Sequence, residues 1–105
     1  MSKPFYLKSL PEIQETEQED TFLEPPYRVI IHNDDVTPMD FVLQTLANIF
    51  KLHGLHALQV MYTAHYQGEA HVQTLPKAEA VKRVGLAHMN ARLNKYPLTF
   101  TIEPE

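Results

Sequence analysis

Three consecutive side chains bearing oxygen acceptors, Asn33, Asp34 and Asp35, stand just before Thr37-Pro38-Met39-Asp40 in the stretch HNDDVTPMDF. Adjacent carboxylates repel each other and favour turns, so their commonest work is to end a strand and begin a helix. Held beside a cavity, the same oxygens would accept hydrogen bonds from a cation. An α-amino group is one such cation, because its pKa of about 8 keeps it mostly charged at neutral pH. His65 adds an imidazole able to donate or accept. Asp34, Asp35, His65 and the nearby His32 could also offer oxygen and nitrogen ligands to a divalent metal. The six histidines are scattered, however, and no HExxH pair occurs. GxSxG, Walker and Rossmann glycine patterns are missing as well, and three glycines leave little from which to build one. These residues point to binding, not to an enzyme, with no metal and no cofactor.

The elements that would position them follow from local pattern. YRVIIHN (27–33) is rich in β-branched residues and predicts a strand, with Ile30 and Ile31 together calling for cover on both faces. Thr37 suits a helix cap, Pro38 the first helical position, and Asp40 a place near the positive end of the helix dipole. Val42, Leu46, Ile49 and Phe50 then follow helical spacing. His53-Gly54 should end that helix. A second runs from about Leu55 to Gln67, with Leu58, Met61, Ala64 and His65 on one face and Gly68 just beyond its end. EAHVQT alternates weakly, as a short strand does. Pro76 opens a third helix in which Ala80, Val81, Val84, Ala87, His88 and Ala91 recur at three and four, although Gly85 costs about 1 kcal/mol relative to Ala. LTFTIE alternates cleanly, placing Leu98, Phe100 and Ile102 inward. The order β-α-α-β-α-β predicts an α+β fold, a three-stranded, mostly antiparallel sheet with three helices packed on one face.

Composition narrows the function classes. A chain of 105 residues with 44% apolar content suits one core domain. No window approaches the roughly 18 apolar residues of a membrane span, and the N-terminus has no apolar signal core. No cysteine is present, so there is no disulfide, and a cytoplasmic address is the default. Residues 1–25 hold two lysines against six carboxylates, whereas 26–105 balance at seven of each sign. The expected division is therefore a flexible acidic N-terminal tail, 1–25, and a core, 26–105. A neutral core argues against nucleic acid as a partner and suits a monomer.

HNDDVTPMDFV, followed by MYTAHYQG and a closing YPL, strongly resembles the bacterial Clp protease adaptor family ClpS. The likeness runs from about Tyr27 to Glu103, and NDDxTPMxFV is its most specific part. The resemblance implies recognition of N-degrons, substrates that begin with Leu, Phe, Tyr or Trp. It also implies their delivery to an AAA+ unfoldase of the Clp protease, of the ClpA type. On the family's pattern Asn33, Asp34 and His65 hold the α-amino group and the first peptide N–H, and Asp35 shapes an acidic rim. Thr37, Met39, Val42, Met61, Ala64 and Leu98 line the pocket, with Ile31 below and Met39 excluding β-branched side chains. Methionine suits such a slot because its unbranched, polarizable side chain adapts to rings and to Leu alike.

Three departures from the pattern carry expectations of their own. Ala64 stands where the family often has Val, which should make the pocket roomier for Trp or Tyr. Val72-Gln73 replaces a Cys-Gly pair, a change expected to affect packing. The stretch LPKAEAVKRV alters the family's unfoldase-docking surface. There Ala78 takes the first Glu position with Glu79 beside it, Lys82 follows, and Arg83 takes the Lys position. Val36 also replaces a frequent aromatic near that surface. The competing expectation is an interaction domain of this fold with a different ligand or partner. In the family an N-terminal extension engages the unfoldase, a role the acidic tail would inherit.

Overall fold

In the computed structural model, which describes residues 24–105, the elements run β1 (Pro26–His32), α1 (Met39–Asn48), α2 (Gly54–Gln67), β2 (Glu69–Pro76), α3 (Lys77–Leu93) and β3 (Thr99–Pro104). The β-α-α-β-α-β order is the one expected. β1 lies between β2 and β3, and both pairings are antiparallel. The expected tail lies outside the described residues except for Glu24 and Pro25. The Ala78 N–H donates to the Glu24 carboxylate at 2.9 Å, so the start of the core is fastened to the first turn of α3.

One hydrophobic cluster joins sheet and helices. Val29 and Ile31 face it from β1, opposite Ile102 and Phe100 on β3. Ile30, on the other face, is also buried, as the paired isoleucines required. The β1–β2 register shifts between Val29 and Ile30, leaving Val72 as the extra residue of a bulge. Both Ala70 and Val72 still reach the core, and the bulge sets Gln73 opposite Val29, on the helix side of the sheet. Gln73 there donates to the Phe50 carbonyl at 3.1 Å. Among the described residues no helix is long and apolar enough to cross a membrane.

Helix ends depart from local expectation in informative ways. Thr37 does not cap α1. The cap residue is Pro38, in extended conformation, and Met39 is the first helical residue. The Thr37 hydroxyl donates to Asp34 instead. α1 ends at Asn48 rather than at His53-Gly54. Fully buried Phe50 packs against Phe100, ring centroids 4.9 Å apart and tilted by 32°, and Lys51 takes a positive φ of 61°, which together turn the chain out of the helix early. Gly54, expected as a stop, opens α2. In α3, Ala80, Ala87 and Ala91 are buried, but Val81 is exposed.

Candidate functional site

Two backbone hydrogen bonds bring the end of β1 to the end of α2. Gly68, in left-handed conformation at φ 94°, closes α2 with its N–H on the Ala64 carbonyl at 2.8 Å. Its own carbonyl accepts the Asn33 N–H at 2.9 Å. Asn33 is therefore held beside the end of α2 that carries His65, across a glycine that tolerates a positive φ. Leu98 is placed from a third direction. Arg92, near the end of α3, donates to the carbonyls of Tyr96 and Leu98, both at 2.9 Å, and holds the loop that carries Leu98 inward.

These constraints surround a cavity of about 340 Å³. Its lining includes every residue expected at the pocket: Ile31, Thr37, Met39, Val42, Met61, Ala64 and Leu98. The expected acceptors Asn33, Asp34, Asp35 and His65 border the same space. Ile31, Val42, Met61, Ala64 and Leu98 are buried and make its apolar depth, whereas Asn33, Asp35, Met39 and His65 are exposed at its mouth. Neither lysine nor arginine is among the lining residues. His32 and Pro38 also line it, although spacing did not single them out as pocket residues; their signal was adjacency to Asn33 and Met39. Val36, expected on the docking surface, borders the mouth too and is largely exposed.

Asp34 is committed within the turn. Its Oδ1 accepts the N–H groups of Val36 at 2.8 Å and Thr37 at 2.7 Å, and its Oδ2 accepts the Thr37 hydroxyl at 2.9 Å. One carboxylate thus folds the loop from Asp34 to Thr37 around the mouth, and an ionised carboxylate keeps further lone pairs for other donors. Asp35 is exposed beside it. Among the described residues no three His, Asp or Glu side chains are grouped to hold a metal ion.

The expected docking residues behave unequally. Ala78 and Lys82 are exposed one turn apart on α3. Arg83 is only partly exposed and its guanidinium is occupied, by Glu79 at 2.8 Å and by the Gln73 side chain at 3.0 Å. Arg83, held by Glu79 within α3, therefore ties α3 to β2 through Gln73, and among the described residues Lys82 makes no ion pair. The Val72-Gln73 departure acts through this same link.

Comparison with known proteins gives consistent likenesses. Residues 23–101 match the model of the family described as ATP-dependent Clp protease adaptor protein ClpS. The ClpS adapter of Vibrio cholerae serotype O1 is 40% identical over 105 residues, covering 98% of each chain. That of Vibrio atlanticus is 40% identical over 89 residues, covering 83% of this chain and 84% of its own. Agrobacterium tumefaciens ClpS2, solved bound to L-phenylalaninamide, superposes with a TM-score of 0.74 at 34% identity. It covers 77% of this chain and 98% of its own.

Proposed function

The chain belongs to the ClpS family of ATP-dependent Clp protease adaptors, and from that premise we propose an N-degron adaptor that binds substrates beginning with Leu, Phe, Tyr or Trp. What carries the reading is the joining, in one cavity, of an apolar depth and a mouth of oxygen and nitrogen acceptors. The first side chain enters between Met61, Ala64, Val42, Ile31 and Leu98. The α-amino group and the first peptide N–H meet Asn33 and His65. Asp34 supplies charge and the lone pairs its turn leaves free, and Asp35 extends the negative rim. Met39 and Thr37 close the slot against side chains branched at Cβ. L-Phenylalaninamide, held by the Agrobacterium relative, carries all three features in one small molecule.

Magnitudes support joint recognition. A charge-assisted hydrogen bond contributes about 1.5–3 kcal/mol. Burying a Phe or Leu side chain contributes roughly another 1.5–3 kcal/mol. Association costs on the order of several kcal/mol, so neither half binds alone and together they reach about micromolar affinity.

Delivery goes to the AAA+ unfoldase of the Clp protease, of the ClpA type, with the adaptor acting as a cytoplasmic monomer. Lys82 and Ala78 serve as its contact on α3, and the acidic tail, 1–25, assists the transfer. Fluorescence anisotropy with otherwise identical peptides beginning with Phe, Leu, Val and acetyl-Phe tests the pocket. Phe and Leu should bind, Val weakly, and acetyl-Phe not at all. Equal binding of the acetylated peptide would overturn the reading in favour of a same-fold domain with another ligand. Removing residues 2–20 should spare that binding and impair degradation by the protease; intact degradation would remove the tail from delivery.

A further inference from the structure

Two tyrosines on α2 are exposed without an evident structural use. Tyr62 is 45% and Tyr66 77% exposed, one turn apart, and their rings lie nearly parallel with centroids 6.2 Å apart. Exposed tyrosines with a free ring face are typical of recognition surfaces. Tyr66 also meets the His65 ring edge-on, centroids 4.9 Å apart. Met61, Ala64 and His65 line the cavity and these tyrosines do not. The aromatic ridge therefore runs beside the mouth, with His65 as its link to the site.

We propose that this ridge is a subsite for the second residue of the bound chain, and that it selects arginine there. The inference rests on the N-degron reading above. With the first side chain in the cavity and the α-amino group at Asn33 and His65, the second Cα lies about 3.8 Å from the first. A long side chain directed from that point past the His65 ring would meet Tyr66 next, since the two ring centroids lie 4.9 Å apart. The charge at the mouth selects a cation: Asp34 and Asp35 border it, no lysine or arginine does, and the Glu69 carboxylate lies 3.6 Å from Nδ1 of the lining residue His32. The ring selects among cations. A guanidinium is planar, weakly hydrated and stacks on tyrosine, whereas an ammonium brings the same charge without the stacking plane. The negative rim attracts Arg and Lys alike, so the difference between them belongs to the ridge.

Four peptides beginning Phe-Arg, Phe-Lys, Phe-Ala and Phe-Glu, otherwise identical, are titrated against the full chain by fluorescence anisotropy. L-Phenylalaninamide is titrated against the same protein by calorimetry. Phe-Arg should bind about two- to fivefold more tightly than Phe-Lys. Tyr66→Ala should erase that ratio, whatever it does to overall affinity, and Tyr66→Phe should keep it. Equal Arg and Lys affinities in the wild type, or an unchanged ratio in Tyr66→Ala, would sink the ridge while L-phenylalaninamide binding left the primary site standing. Failure of L-phenylalaninamide to bind would sink both.

Discussion

Replacing Asp34 by Ala and by Asn separates two ways in which a carboxylate can serve the cavity. In the first it acts through the turn, where it accepts two backbone N–H groups and the Thr37 hydroxyl. In the second it acts chiefly as a direct ionic partner of the substrate's ammonium. A hydrogen bond of this kind contributes on the order of 1 kcal/mol net, and water offsets part of the more exposed bond to Val36. Loss of all three in Asp34→Ala therefore removes about 2–3 kcal/mol of turn stability. Once the competent turn becomes the minor population, apparent affinity falls with its fraction, here by up to roughly thirty- to 150-fold. Asn keeps an oxygen for the two N–H groups, and its amide can donate to the Thr37 hydroxyl, which is able to accept. Asp34→Asn then loses mainly charge, about 1 kcal/mol or roughly fivefold. Anisotropy titration of a Phe-starting peptide against the three proteins measures both ratios. An Asn variant as weak as the Ala variant would refute the turn argument and make the carboxylate a direct ligand.

Ala64→Val adds two methyl groups to the wall of the cavity and stiffens χ1 in a helix. Overpacking of about 1–3 kcal/mol should fall on Trp more than on Leu, lowering the Trp/Leu affinity ratio by about fivefold or more; an unchanged ratio sinks the expectation. Arg83→Ala removes the bond to Glu79 within α3 and cuts α3 from Gln73 on β2. It should cost about 1 kcal/mol, seen as a Tm lower by about 4–8 °C. An unaltered Tm with lost degradation would instead assign this cation to the partner. His88 Nε2 accepts the Phe100 N–H at 2.9 Å, and burial, then the Arg92 guanidinium, lower its pKa from the usual 6.5. The folded chain thus takes up this proton less readily than the unfolded one. The corresponding stability is fully present above pH 6.5 and is lost as pH falls through the lowered folded value. Urea midpoints should drop between about pH 7.5 and pH 5, and His88→Gln should flatten the drop. An equal slope in the variant would point to other groups.

Local pattern carried much of the architecture because the elements are short and each has a periodic face. The β-branched run of β1, the alternation of Leu98, Phe100 and Ile102, and the alanines of α3 at three and four announce their elements without reference to neighbours. Helix ends were less legible, because competition decides them. Thr37 has the chemistry of a cap, yet Asp34 takes its hydroxyl. Helical spacing runs on to Phe50, but the pull of Phe100 across the core ends α1 at Asn48. Arg83 reads as a free docking cation until the bulge in β2 aims Gln73 at it.

Residue types and short spacings determined by themselves which groups were available: three acceptors in a row at 33–35, a helix start behind them, and Met61, Ala64 and His65 on one face of α2. Only the tertiary structure decided that they share a cavity. That outcome depends on Gly68 accepting from Asn33 and on Arg92 holding the loop of Leu98, contacts between residues distant along the chain. Such contacts form only once the core has placed both partners, so no window of sequence contains them.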